Sequence, residues 1–403
     1  MSEMTRFSLP DGWVWSVLGE CCEVTMGQSP KSSTYNTRQD GLPFFQGKAE
    51  FGKIHPVAKK WCNAPQRIAQ KDDVLISVRA PVGPVNIADT ECCAGRGLGV
   101  LRPNPKALIT MWLFWYMKSA KEKISNMGTG TTFCAISGDV LRRFPIPLPP
   151  MNQQKEIVRR IGSLFGRLDI VEIAIAVQKQ KIKQCSDSFL SMTVNHAADS
   201  VLPHDWQWST IGKVSQKIQY GWTTKANFNA GKLKLLRTTD ITSGDIDWKS
   251  VPCCTVSPDN IENYLLKEGD ILISRAGSVG ENVLIKTPDH AVFASYLIRL
   301  VPNQKIILPE YMNYFLQSPG YWNKVKNEKS GVTLANLNAK KISAMAIPLP
   351  SLKKQKQIVD KSDKLSYNLS DATNHICAAE NLIQKCRNSS LAVFMREEKR
   401  NEI

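Results

Sequence analysis

The 403-residue sequence predicts an α+β protein with a pseudo-two-fold internal repeat. It would comprise two homologous mixed α/β domains and two long helices that form an antiparallel coiled-coil stalk. Three observations predict this. Blocks of sequence recur once in the same order, each copy runs into a heptad-spaced apolar seam, and the basic charge divides evenly between the copies. The boundaries follow as residues 1–150 for the first domain, 151–201 for the first helix, 202–350 for the second domain, and 351–403 for the second helix with a charged tail.

The repeat is carried by three motifs. Leu9-Pro10-Asp11-Gly12-Trp13-Val14-Trp15-Ser16 recurs as Leu202-Pro203-His204-Asp205-Trp206-Gln207-Trp208-Ser209, with Gly19 matched by Gly212. Asp73-Val74-Leu75-Ile76-Ser77 recurs as Asp270-Ile271-Leu272-Ile273-Ser274. Ile146-Pro147-Leu148-Pro149 recurs as Ile347-Pro348-Leu349-Pro350, and Gln154-Lys155-x-Ile157-Val158 as Gln355-Lys356-x-Ile358-Val359. Conserved order with a slowly drifting offset is the signature of a duplication. Within each copy, apolar β-rich runs such as Val74–Val78 and Ile271–Ser274 are bounded by Gly and Pro and read as strands. Met111–Ile124 and Glu310–Val325 read as helical, with their aromatic residues in the core.

Beyond the Pro-rich stop at Pro145–Pro150 the periodicity changes. Apolar residues fall at Ile157, Ile161, Leu164, Leu168, Val171, Ile175, Ile182, Cys185 and Phe189, in alternating steps of four and three with Gln178 at the one missing place. That is a heptad seam. The second copy reads Ile358, Ser362, Leu365, Leu369, Ala372, Ile376, Ala379, Ile383, Cys386 and Ser390, leaner and with small residues suited to a bulky partner helix. Residues 157–189 would extend about 50 Å at 1.5 Å per residue. Two matching seams in one chain most economically pack on each other, antiparallel, with a domain at either end; pairing of each helix with another protein is the competing arrangement.

Charge and composition narrow the function classes. The formal net charge is +16, distributed as +6, +2, +5 and +3 over the four segments. A basic excess on both domains favours a polyanion, since neutralised phosphates release counterions. The longest apolar stretch, 107–117, is too short to span a bilayer, so no membrane association is expected. The N-terminus carries no apolar signal segment. Eleven cysteines, six in adjacent pairs and none in C-x-x-C spacing, read as reduced cytoplasmic thiols; with five scattered His they offer no zinc set.

Catalytic motifs fail one by one. Gly41–Ala49 has five residues between its glycines and no hydroxyl after Lys48, so it is not a phosphate loop. Gly128-Thr129-Gly130-Thr131-Thr132 lacks the third glycine of a dinucleotide fingerprint. No clustered carboxylates of nuclease type, no Asn/Asp-Pro-Pro-aromatic motif and no Gly-x-Ser-x-Gly occur. The expectation is a binding protein, not an enzyme.

Together these motifs closely resemble the specificity subunit of type I restriction-modification systems, across both copies and both helices. Copy one departs slightly, with Lys71-Asp72-Asp73 where copy two has Glu268-Gly269-Asp270. The resemblance implies two target recognition domains, each reading one half of a split, asymmetric sequence in double-stranded DNA. It implies helices that set the spacer and dock two modification (methyltransferase) subunits, with restriction (translocase/nuclease) subunits joining them. No cofactor is then bound by this chain; S-adenosylmethionine, ATP and magnesium belong to the partners.

By the same resemblance, DNA-facing residues come from loops near the start and middle of each domain. These are Gln28, Ser29, Lys31, Gln46, Lys48 and Arg79 in the first, and Trp222, Thr223, Lys225, Arg237, Thr239 and Arg275 in the second. Gln and Arg can pair with adenine and guanine edges, while Lys, Ser and Thr suit phosphates. Arg79 and Arg275 each follow a β run, where bracing the turn is the alternative role. Gly27 and Gly221, at matched places, provide backbone permissiveness. Gly128–Thr132 and Ser330–Thr333 also match, as plain loops or as sites of backbone approach to phosphate or a partner. The rival class is a duplicated basic coiled-coil scaffold that binds proteins or RNA without reading DNA sequence.

Overall fold

The computed structural model describes residues 9–128, 135–194, 202–229, 231–242, 244–329 and 337–396. The matched loops at 129–132 and 330–333 and the charged tail beyond 396 lie outside the described residues. The chain divides into two compact units: one of Met1–Ile175 with Ala378–Ile403, the other of Ala176–Cys377.

In the first unit the order is β1 (Val14–Val17), α1 (Leu18–Cys21), β2 (Cys22–Met26), β3 (Tyr35–Asn36), β4 (Leu42–Phe45), β5 (Trp61–Cys62), β6 (Ile68–Ala69), β7 (Val74–Ser77), β8 (Val85–Ile87), β9 (Cys92–Ala94), β10 (Leu98–Pro103), α2 (Thr110–Ser119), α3 (Lys121–Asn126), α4 (Gly138–Arg142), β11 (Pro145–Leu148) and the start of α5 (Met151–Thr193). An antiparallel sheet runs β2-β10-β7-β8, a second sheet runs β3-β5-β4-β9-β6, and β1 pairs with β11. The second unit repeats the plan. Its elements are the end of α5, β12 (Trp206–Thr210), α6 (Ile211–Val214), β13 (Ser215–Tyr220), β14 (Ala226–Asn227), β15 (Lys234–Leu236), β16 (Cys253–Cys254), β17 (Ile271–Ser274), β18 (Asn282–Leu284), β19 (Ala291–Phe293), β20 (Leu297–Pro302), α7 (Pro309–Gln317), α8 (Pro319–Lys329), α9 (Ala339–Ala344), β21 (Ala346–Pro350) and the start of α10 (Leu352–Arg396), whose end returns to the first unit. The sheets run β13-β20-β17-β18 and β14-β16-β15-β19, and β12 pairs with β21. Among the described residues β6 has no counterpart. The helices expected at 111–124 and 310–325 are each broken once, at Ala120 and at Ser318, where Pro319 follows an extended residue.

The repeated motifs prove architectural. The opening motif pairs with the closing one: Trp15 opposite Pro147 in one unit, Trp208 opposite Pro348 in the other. The Trp13 indole donates to Gln153 Oε1 at 2.8 Å and stands edge-on to Trp112. Gln154, fully buried, accepts from Ile109 N at 2.9 Å and donates to the carbonyls of Ala107 and Pro149, both at 2.9 Å. Gln355 repeats all three bonds with Leu308, Ile306 and Pro350. Each glutamine therefore staples the first turn of a long helix to its domain. Asp73 and Asp270 open the central strands. Each accepts a backbone N–H three residues upstream, from Gln70 and Lys267, and faces an arginine on the neighbouring strand, Arg102 or Arg299.

α5 has 43 residues and α10 has 45, and within each unit their segments run antiparallel. In the first unit Asp169 pairs with Arg387, and Glu172 accepts from Gln384 at 3.3 Å. Ile157, Ile161 and Phe165 join Leu391 and Met395 in the core cluster. Leu164 and Leu168 are partly buried, and Ile175 is buried. Four seam expectations need correction. Val171 is 45% exposed, and Phe165, absent from the heptad reading, is buried edge-on against Trp115 with ring centroids 4.9 Å apart. A straight helix drifts from a 3.5-residue repeat by about 20° per heptad, and this end of α5 packs on a globular domain as well as on a helix. Cys185 and Cys386 are exposed as well, and beside Cys386 the half-buried Arg387 lies over the Phe165 ring, 5.3 Å from its centroid. Ile182, Leu365, Leu369 and Ile376 are half-buried and Ile383 is buried.

The copies pack unequally. The staple glutamines align Ile161 with Ser362 and Phe165 with Ser366, and their partner amides align Trp115 with Tyr314. Where the first unit has an aromatic contact, the second has a groove of about 350 Å³ lined by Ile182, Leu190, Tyr314, Ser362, Ser366 and Leu369. The Ser362 hydroxyl is buried there without a hydrogen-bond partner. Tyr314 donates to Asp363 at 2.6 Å, and burial followed by that bond pushes its phenol above the usual range.

Candidate nucleic-acid interface

In each unit one turn collects the neighbouring loops, and the same four backbone bonds do it. In the first, Gly27 N donates to Leu98 O (2.8 Å), Gln28 N to Ala94 O (2.9 Å), Gly95 N to Phe45 O (2.8 Å) and Val78 N to Gly97 O (2.9 Å). In the second, Gly221 N donates to Leu297 O (3.2 Å), Trp222 N to Phe293 O (2.8 Å), Ala294 N to Leu236 O (2.8 Å) and Arg275 N to Tyr296 O (2.9 Å). The turns Gly95–Arg96–Gly97 and Ala294–Ser295–Tyr296 are thus equivalent, and each sits where three loops meet. The approach is close enough to demand glycine at the crossing strand. A Cβ on Gly27 would lie 2.2 Å from Gly95 O, and one on Gly221 2.2 Å from Phe293 O.

These bonds give a residue-by-residue correspondence between the two sites. Gln28 stands where Trp222 does, Gln46 where Arg237 does, Val78 where Arg275 does, Arg79 where Ala276 does, and Arg96 where Ser295 does. Ser77 and Ser274, by contrast, are identical and hold the same turn, donating to Arg79 O (3.1 Å) and Ala276 O (2.8 Å). The scaffold is common and the outward side chains differ. Arg79 and Arg275, although both follow a β run, are therefore not equivalent.

In the first unit Gln28, Gln46, Lys48 and Arg79 are exposed and Ser29 is half-exposed, all on loops that reach this turn. Lys31 is exposed one step further out, its carbonyl accepting from Thr34 N at 3.0 Å. In the second unit Thr223 and Thr239 are exposed, and Trp222, Arg237 and Arg275 are half-buried. Lys225 lies away from the turn, its carbonyl bonded by Thr255.

Five of these side chains are already engaged, Ser29 and Thr239 among them: Ser29 Oγ accepts from Arg96 N and Thr239 Oγ1 donates to Asp240 Oδ1 at 3.3 Å. Trp222 donates its indole N–H to Val256 O at 3.1 Å and stands edge-on to Tyr264, so it braces the 253–256 segment. Arg237 forks onto Asp240 through Nε (3.0 Å) and Nη2 (2.8 Å), which raises its pKa further. Asp240, three residues on, also accepts from Arg237 N at 2.8 Å. Arg275 lies over the Tyr220 ring, 4.8 Å from its centroid. The sequence reading missed Arg96, Tyr220 and Tyr296. Arg96 is exposed, and its backbone N–H is held by Ser29 Oγ at 3.2 Å. The Gly-Arg-Gly triplet between two β runs was the available signal.

Among the described residues no group of three or more His, Cys, Asp or Glu could hold a metal, and no helix is long and apolar enough to cross a membrane. Buried cysteines such as Cys62, Cys92 and Cys93 serve as small core residues.

Two equivalent turns with different outward side chains define a class, that of duplicated recognition proteins, and comparison with known proteins gives it a family. The type I restriction modification DNA specificity domain matches residues 10–179 and again 203–378. The chain belongs to that family and is a type I restriction-modification specificity subunit, the non-catalytic component of such systems. Over 186 residues it is 39% identical to a putative type I restriction enzyme MjaX specificity subunit of Methanocaldococcus jannaschii, spanning 46% of this chain and 43% of that protein. It is 24% identical to the EcoKI specificity subunit of Escherichia coli K12, covering 90% of this chain and 84% of that one. The fold matches a chain from a structure described as the structural basis of complex assembly and conformational transition of the type I R-M system (TM-score 0.78, 20% identity, 97% and 99% coverage). It also matches the HsdS subunit of Thermoanaerobacter tengcongensis (TM-score 0.55, 22% identity, 97% and 98% coverage).

Proposed function

We propose that the two units read the two unequal halves of a split sequence in double-stranded DNA. The observation that carries this reading is the correspondence drawn above: identical backbone bonds at both turns, with non-identical side chains projecting from them. A shared scaffold displaying Gln28, Gln46 and Arg96 in one copy, and Trp222, Arg237 and Ser295 in the other, is what two different half-sites require. The net charge of +16 supports a polyanionic partner. α5 and α10 set the spacer, as dimer geometry does for other two-headed DNA binders, and dock two modification subunits to which restriction subunits are added. S-adenosylmethionine, ATP and magnesium act on those partners, and the chain works in the cytoplasm.

Exchanging residues 1–150 for the corresponding domain of another family member tests this. Methylated adenines mapped in a genome carrying the chimaera and its partners should show one half of the motif changed, with the other half and the spacer kept. Change in both halves, or in neither, refutes modular reading.

A further inference from the structure

We infer that Arg96 is a specificity-determining residue of the first unit, reading a guanine in the half-site that unit binds. The inference rests on the DNA-specificity reading above and adds a residue and a base to it.

The argument begins with how Arg96 is held. Its backbone is fixed on every side: Gly95 N donates to Phe45 O, Gly97 O accepts from Val78 N, Leu98 N closes the turn on Gly95 O at 3.0 Å, and Arg96 N donates to Ser29 Oγ. Gly97 presses on the next loop so closely that a Cβ there would lie 2.1 Å from Gln46 O. A side chain projecting from such a turn has its origin fixed before any ligand arrives, which lowers the ordering cost of binding.

The second part concerns what Arg96 has left to offer. Arg102 is forked onto Asp73, Arg142 is paired with Asp139 and Arg387 with Asp169 and Glu172. Among the described residues the Arg96 guanidinium makes no hydrogen bond or ion pair, and it is exposed at the junction of three loops. A guanidinium offers two parallel donors, and guanine O6 and N7 are the matching acceptors in the major groove. Exposed Gln28 and Gln46 flank it on the adjoining loops, so the base next to that guanine falls within reach of an amide. The equivalent position in the second unit is Ser295, which cannot make this pair, so the effect is confined to one half-site.

The test uses the assembled complex with a randomised duplex library, the bound DNA being sequenced. The wild type should enrich a two-part motif. Arg96→Ala should leave one half intact and reduce discrimination at one guanine of the other by about tenfold or more, the size of a good bidentate contact. Arg96→Lys should restore part of it. Because the side chain is exposed and Ser29 bonds only its backbone, thermal melting should match the wild type. An unchanged motif in Arg96→Ala overturns the inference while leaving the specificity reading standing. So does uniform weakening with a salt slope smaller by about one, which marks a phosphate contact. A wild-type complex that enriches no motif overturns the specificity reading itself and the assignment of Arg96 with it.

Discussion

Replacing Gln154 with Met probes the staple that joins domain to helix. The side chain is fully buried, and all three of its hydrogen bonds go to backbone groups. Methionine has nearly the same length and volume, so little cavity forms. The variant loses two donors and one acceptor, and strands the carbonyls of Ala107 and Pro149 and the N–H of Ile109. Each lost bond is worth about 1 kcal/mol net, and a buried group left unpaired costs about 1–3 kcal/mol. Because Ala107 and Ile109 are only half-buried and their freed groups can turn toward water, a total of about 3–5 kcal/mol is expected. For a unit of roughly 200 residues, each kcal/mol moves the midpoint by about 2–4 °C, so the first unit should melt roughly 10 °C lower. Differential scanning calorimetry is the assay, with Lys155→Ala as control. Lys155 is the exposed neighbour in the same motif, and its loss should stay within about 0.5 kcal/mol. A midpoint for Gln154→Met within about 2 °C of wild type would refute the claim that the glutamine holds the joint.

The unequal packing of the copies predicts that Ser362→Ile stabilises the second unit. It restores the residue found at the matching place in the first, extends into the 350 Å³ groove and removes a buried unpartnered hydroxyl. About three added carbons at ~0.8 kcal/mol each suggest a gain of about 2 kcal/mol, read as a higher calorimetric midpoint; an unchanged or lower one would mean the groove cannot accept the side chain. Asp169 gives a pH prediction. Lys53 first, then Arg387, hold its carboxyl below the usual range. A depressed carboxylate contributes stability that is present above its unfolded pKa, about 3.9, and is lost as pH falls through the folded value. Wild type should therefore lose more stability than Asp169→Asn between pH 6 and pH 3, and equal losses in the two melts would sink the assignment.

The duplication, the strand Ile271–Ser274 and the two long helices were legible because their signals are local: rare Trp pairs, a run of apolar residues, a periodic seam. Val171 and Phe165 were not, because their exposure depends on which face of α5 meets Trp115. Strands of two residues, such as Tyr35–Asn36 and Trp61–Cys62, are too short to carry a pattern. At the interface, residue type alone nominated Gln28 and Gln46 on the loops that do meet. It could not reveal that the short turn Thr238–Asp240 folds Asp240 back onto Arg237, or that Val256, distant in sequence, occupies the Trp222 indole. Arg96 escaped notice because its importance comes from the loops bonded around it.

The division of the chain also bears on synthesis order. The second unit is one uninterrupted stretch, Ala176–Cys377, inserted between the two pieces of the first. Leu391 and Met395, which pack into the first unit's core beside Ile161 and Phe165, come later in the chain than every residue of the second unit. On the ribosome, the domain whose sequence emerges first is thus the one whose core is completed last.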